Sequence, residues 1–265
     1  MAALPERRVI KLARGALSYR EAGSGPGLLL LHGMSGGSAS WVHQFQALAD
    51  RYRVISWDAP GFGDSEPVEG GADAFAAQAS ALLEALGCGP ATVVGHSMGG
   101  IVAVRLAANH PEHVTGLVLS CTHPGYGEPP GGPLMARFTG RIEEYESLGP
   151  RDYGLLRARK MLPPNASPGV VELAACIALD MRPEGQLCAG AMMLEADNGP
   201  LLPQVTAPML VITAELDPVV EEERWKALVG LPPDARHVEM TGVGHAPYLE
   251  DPARYAELIE EFLTR

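Results

Sequence analysis

The sequence predicts an α/β protein: a mostly parallel eight-stranded sheet with helices on both faces and a helical cap inserted before the last two strands. Three observations predict it. Short apolar runs alternate with helical patterns, the βαβα rhythm of a parallel sheet. The run 27–31 is aliphatic without alternation, as a strand covered on both faces is, and 91–94 reads as another buried strand. The rhythm stops after Cys121 and resumes at Pro208, so something of a different kind lies between.

Taken in order, 9–12 and 16–19 read as two opening strands joined at Gly15. Residues 27–31 are the next strand, 39–49 a helix, and 52–57 a strand ending at Asp58. A helix over 72–86 is stopped by Gly87 and followed by the strand 91–94. The helix 98–109 runs into His110-Pro111, and 114–121 is strand again. Residues 122–200 are rich in Pro and Gly, with helical fragments and no evident strand. After Pro208 come a strand at 209–213, a helix at 221–229 and a strand at 235–240. The closing helix has Asp251 as its N-cap and Pro252 at its first position. The expected division is one core, 1–121 with 201–265, and one helical cap, 122–200. A second independent domain would need more aliphatic runs than 122–200 supplies.

With 46% hydrophobic and 20% charged residues in 265, the chain is an ordinary globular one, which excludes disorder, collagen and coiled coil. Its 20 Lys+Arg against 32 Asp+Glu leave a formal charge of −12. Such a surface repels phosphate backbones and anionic lipid, so neither nucleic acid nor a membrane is an expected partner. The four cysteines lack CxxC or any metal-ligand spacing, and three of them lie in apolar stretches, as small buried residues do. The N-terminal residues lack the apolar stretch of a secretory signal, and the longest aliphatic run, 28–31, is far too short to span a bilayer. The expected setting is the cytoplasm, with reduced thiols, and the expected assembly a monomer or homodimer.

Residues 95–99, Gly-His-Ser-Met-Gly, fit G-x-S-x-G; residues 33–37, Gly-Met-Ser-Gly-Gly, fit it as well. Context separates them. Ser97 sits between a strand and a helix, where a tight strained turn exposes a hydroxyl and small neighbours let backbones approach. Ser35 is followed by a flexible glycine-serine stretch. Ser97 is therefore the candidate nucleophile, against the alternative of a plain glycine-rich turn.

GHSMGG after one strand, HGMSGG after an earlier one, and 58–65, DAPGFGDS, together resemble the α/β-hydrolase superfamily. The cap is similar to that of enol-lactonase-like members, including 3-oxoadipate enol-lactonases. The shared features are Arg141-Ile142, Met181 followed by Pro183-Glu184-Gly185, and Asp197 before the strand after Pro208. The resemblance implies the α/β-hydrolase fold and a serine esterase or lactonase with a nucleophile–acid–base order along the chain.

A serine hydroxyl needs a base within hydrogen-bond reach. Of the eight histidines, His245 lies in a glycine-rich loop after the last strand, which belongs at the carboxyl edge of the sheet. His96 reads as packing, His32 as shaping its loop, and His43, His110, His113, His123 and His237 as surface or capping residues. The acid that orients the base is expected at Asp217, in the loop after the strand 209–213, with Glu215 as competitor. Asp58 and Asp64 read as turn residues. For an oxyanion, the backbone N–H of Met98 is one expected donor and that of Met34 the other, with Gly33 and Ser35 as rival donors. Nothing in the spacing suggests a metal, and no cofactor is expected.

Expected substrate contacts are Gly33, Trp41, Phe138, Tyr145, Met181 and Met192, an apolar, adaptable set, against the alternative that these residues simply pack the cap. Arg137, Arg141, Arg157, Arg159 and Arg182 could hold a substrate carboxylate or be solvated helix residues. The expected activity is hydrolysis of a small-molecule carboxylic ester or lactone through an acyl-enzyme. The competing readings are C–C hydrolysis of a ring-fission diketone by the same residues and a binding protein without catalysis. An intact Ser, Asp and His set argues against the last.

Overall fold

A computed structural model of the chain describes residues 4–129, 135–230 and 235–264. Residues 1–3, the tract 130–134 of the expected cap, 231–234 and Arg265 lie outside the described residues. The strands are β1 (Arg8–Leu12), β2 (Gly15–Ala22), β3 (Gly27–Leu31), β4 (Arg53–Trp57), β5 (Ala91–His96), β6 (Val114–Ser120), β7 (Met209–Ala214) and β8 (Ala235–Met240). They form one eight-stranded sheet in the order β1-β2-β4-β3-β5-β6-β7-β8. The pairs β1–β2 and β2–β4 are antiparallel and all the others parallel.

Helices cover both faces. Between strands run α1 (Val42–Leu48), α2 (Gly71–Ala85) and α3 (Met98–Asn109). Next come α4 (Met135–Met161), α5 (Pro168–Ile177) and α6 (Pro183–Glu195), all between β6 and β7. The chain ends through α7 (Glu222–Gly230), α8 (Pro247–Glu250) and α9 (Pro252–Leu263). In α4 the backbone leaves helical geometry at Gly149 (φ 75°), and Pro150 begins a new helical run, so two helices meet end to end at a kink. Asp251 caps α9 by accepting from the Arg254 N–H at 3.1 Å.

The period-two alternation of the strands decides which layer each aliphatic side chain joins. Leu29, Leu31 and Val93 pack with Phe75 and Leu82 of α2 and Ile101 of α3. Leu28, Leu30 and Val94 pack on the other face with Phe45 of α1 and Tyr255 and Leu258 of α9. Both layers exclude water from β3 and β5, which is why 27–31 is aliphatic throughout and every residue of β5 is buried. Of the cysteines, only Cys88 and Cys121 are buried; Cys188 is half-buried and Cys176 exposed. Three buried thiols were expected. Apolar neighbours in sequence do not say which side of a helix a residue faces.

From β3 the chain moves outward to β4, and from β5 it moves the opposite way to β6. The carboxyl ends of β3 and β5 therefore bound a crevice at the point where the winding reverses, where open parallel sheets bind ligands.

Candidate active site

Ser97 occupies the one-residue turn between β5 and α3 at φ 52°, ψ −118°. A side chain held there costs on the order of 1–3 kcal/mol and persists only where its surroundings force it. The force comes from close packing. A Cβ on Gly99 would lie 2.1 Å from the Leu31 carbonyl, and one on Gly95 would lie 2.5 Å from the Gly99 carbonyl. Only glycine lets β3, β5 and α3 approach so closely. The Ser97 N–H donates to the Ser120 carbonyl at 2.9 Å, and Thr122 Oγ1 donates to the Ser97 carbonyl at 2.5 Å.

The sheet brings Ser97, His245 and Asp217 together from the ends of β5, β8 and β7. Ser97 Oγ is 3.1 Å from His245 Nε2. His245 Nδ1 is 2.9 Å from Asp217 Oδ2 and 3.0 Å from Oδ1, which makes Nδ1–H the donor and leaves Nε2 free to accept from the hydroxyl. Asp217 Oδ1 also accepts the Val219 N–H at 2.8 Å and the Val220 N–H at 3.2 Å. Burial pushes the Asp217 carboxyl up, but the charge and hydrogen bond of His245 and the two amides outweigh it and hold it below its ordinary value. Glu215, the expected competitor, accepts the Gly242 N–H at 2.8 Å and so braces the loop that carries His245.

Sequence reasoning missed a second brace. Glu250 accepts the Gly244 N–H at 2.8 Å and the Ala246 N–H at 3.1 Å, flanking His245 on both sides. The His245 N–H donates to the Met161 carbonyl at 2.9 Å, tying the loop to α4. Nothing in the local sequence marks Glu250, because its role depends on the turn that folds α8 back onto the loop. Cys121, also missed, stands at positive φ (45°) with its sulfur near Asp217 and His245. Burial pushes its thiol far up, so it stays protonated.

The loop after β3 passes directly over Ser97: a Cβ on Gly33 would come within 3.1 Å of the Ser97 Cβ. The buried His32 ring holds this loop, with Nδ1 donating to the Gly33 carbonyl at 2.8 Å and Nε2 accepting the Ala59 N–H at 2.9 Å. Burial keeps His32 below the usual imidazole range, consistent with this neutral tautomer. Asp58, fully buried, accepts from the Ser38 N–H and the Ser18 hydroxyl at 2.6 Å each, the turn-holding part expected of it. Met34 follows Gly33 in this loop, and Met98 opens α3 directly after Ser97.

A hollow of about 50 Å³ lies above Ser97 and His245. Of the expected contacts, Gly33 and Phe138 line it, as does Met34. Four others do not. Trp41 is fully buried against Tyr248 and Tyr255, so it belongs to the core layer of α1 and α9. Tyr145 turns its edge to Tyr153 at 5.4 Å inside the α4 layer. Met181 is buried outside the hollow, and Met192 packs in the core and borders a separate depression beside Phe75. Residue type marks all four as apolar, but only packing decides which residues face the hollow.

The hollow contains side chains assigned elsewhere by sequence. His123, expected at the surface, is buried in its wall; the Gly125 N–H donates to its Nδ1 at 3.1 Å, and burial pulls its pKa down to about 4. His96 also reaches the wall, its ring tilted against His245 (4.9 Å) and edge-to-face with Tyr248 (4.8 Å). Arg137, Arg141 and Arg157 line the hollow, whereas Arg182 is held by Glu184 at 2.5 Å and by the Gly63 carbonyl at 3.0 Å.

Comparison with known proteins agrees with this geometry. A model of the alpha/beta hydrolase fold matches residues 26–252. The chain is 31% identical, over 94% of its length and 99% of the relative's, to a pimeloyl-[acyl-carrier protein] methyl ester esterase of Vibrio cholerae. Among solved structures, a thermophilic esterase from Thermogutta terrifontis, in a malate-bound form, superposes with a TM-score of 0.85 at 27% identity over 98% of both chains. The enol-lactonase from Burkholderia xenovorans shares the fold, with a TM-score of 0.80 at 23% identity over 97% of this chain and all of that one. Strand order, the strained serine turn at the reversal point and a family match over most of the length converge: the chain belongs to the α/β-hydrolase family.

Proposed function

We propose that this α/β-hydrolase is a carboxylic ester hydrolase that acts on a small ester or lactone through an acyl-enzyme on Ser97, without a cofactor. One observation carries the reading: the hydrogen-bonded run from Ser97 Oγ through His245 to Asp217, at 3.1 and 2.9 Å. In the proposed cycle His245 Nε2 takes the hydroxyl proton as Ser97 Oγ attacks the ester carbonyl. The Met34 and Met98 N–H groups receive the oxyanion. His245 then gives its proton to the departing alcohol. Water enters, loses a proton to His245 and releases the acid. Residues 122–200 serve as the cap over the hollow. The named substrate of the Vibrio relative, a methyl ester, supports a small leaving alcohol. The four free thiols support a cytoplasmic setting.

The test is a panel of p-nitrophenyl esters of graded acyl length, methyl esters, enol lactones and ring-fission diketones. A burst of p-nitrophenol close to one per chain, lost in His245→Ala, is the expected result. Turnover of the diketones with no ester or lactone activity would replace the reading with C–C hydrolysis.

A further inference from the structure

We propose, resting on the Ser97 reading, that Arg141 and Arg157 form a subsite for an anionic group, carboxylate or phosphate, so that the preferred ester carries a negative charge at the far end of its acyl part. With a small leaving alcohol, the acyl part is the portion left to carry that charge.

The two guanidinium groups come from opposite sides of the kink at Gly149-Pro150, across which Tyr153 and Lys160 of the second half meet Tyr145 and Glu144 of the first. Arg137 and Arg141, at spacing i, i+4, lie on one face of the first half, and Arg157 projects from the second. All three line the hollow that holds Ser97 and His245. They also line an outer depression of about 440 Å³, together with Val219. The guanidinium groups therefore stand where the inner hollow meets the route from solvent.

Their partners are missing in an informative way. Arg53, Arg105, Arg151, Arg182 and Lys160 each pair with a carboxylate. Among the described residues, no carboxylate pairs with Arg137, Arg141 or Arg157. Arg157 is 7% exposed and its Nε is buried without a hydrogen-bond partner. Arg141 rests over the Phe138 ring at 5.4 Å and directs Nη1 at the Met34 sulfur, 2.9 Å away, a weak acceptor. Burial pushes both below their ordinary values, Arg141 to about 10; a neighbouring arginine adds to the shift of each, Tyr153 opposes both, and Glu144, which holds Lys160 and lines the outer depression, opposes that of Arg157. Burying like charges side by side without acceptors is costly. An incoming anion would supply the missing acceptors and offset the repulsion, and Arg binds carboxylate or phosphate through paired N–H donors. The surface as a whole, at −12, repels anions, so the attraction is confined to this opening.

The test compares kcat/KM for three esters of matched length on the full chain: methyl hydrogen glutarate, dimethyl glutarate and methyl 4-phosphonobutanoate. We expect at least one anionic ester to exceed the neutral diester by about tenfold or more, mainly through KM. In Arg157→Met and Arg141→Met the anionic-to-neutral ratio should fall about tenfold or more, and Arg157→Lys should recover part of it. A loss of fold lowers both rates and leaves their ratio, so the ratio is specific. Preference for the phosphonate identifies phosphate as the natural group; preference for the half-ester identifies carboxylate. Glutarate and inorganic phosphate binding, measured by calorimetry on Ser97→Ala, tests the subsite without turnover. If the chain cleaves no ester yet binds one of these anions in an Arg157-dependent way, the serine reading fails and the subsite stands. An anionic-to-neutral ratio at or below one, or one unchanged in both Met variants, overturns the subsite.

Discussion

At the scale of single residues, identity and placement decide different things. Asp217 and Glu215 are both acids in one loop, yet Asp217 meets His245 while Glu215 meets the Gly242 amide. Asp217→Asn should lower kcat on the order of 10⁴, by analogy with the serine-protease triad, because the amide would hold the imidazole in the wrong tautomer. Glu215→Gln should change kcat far less, and steady-state kinetics of the two variants with one ester checks the order. His123 carries a prediction about stability. Its folded pKa is about 4 against an ordinary 6.5, so the unfolded chain takes up a proton that the folded chain refuses. Stability is thus lost as pH falls from 6.5 toward about 4. In His123→Gln that loss should shrink by about 2–3 kcal/mol between pH 7 and 4.5, measured by urea unfolding at both. An unchanged pH dependence would contradict the buried neutral imidazole. The meeting of Ser97, Asp217 and His245 was legible because each follows a recognisable strand with turn residues beside it. His123 was not legible, because a histidine in a loop reads as solvated until tertiary packing encloses it; Arg157 was legible only as one of five arginines able either to hold a carboxylate or to stay solvated.

At the scale of elements, the serine turn depends on three backbones packed closer than any side chain allows. Gly99→Ala places a methyl 2.1 Å from the Leu31 carbonyl, an atom of β3 that cannot swing aside. We expect a loss on the order of 3 kcal/mol or more, seen as a lower unfolding midpoint, with activity falling as α3 shifts from β5. An Ala variant of wild-type stability would mean that the strand-helix contact is looser than described. The strands were legible because aliphatic runs between turn residues have one reading in a parallel sheet. The insertion was legible only as helical fragments. Its kink at Gly149-Pro150 could be read from the two residues, but not the direction in which it folds α4. That direction decides that Phe138 faces the hollow while Tyr145 packs against Tyr153.

At the scale of the whole molecule, a sheet that reverses its winding between β3 and β5 assembles the site from four strand ends. His96 and His123, the other histidines in the wall, are held below the imidazole range by burial and stay neutral. A chelator should leave the rate unchanged, and loss of rate in chelator would point to a different reaction. The most direct test of the central claim is covalent. The full chain is treated with a fluorophosphonate, and the modified peptide is located by mass spectrometry. The account predicts one adduct per chain, on Ser97, and no adduct in His245→Ala on the same timescale, because the hydroxyl then lacks its base. Labelling of Ser35, or of Ser97 at an undiminished rate without His245, would contradict it.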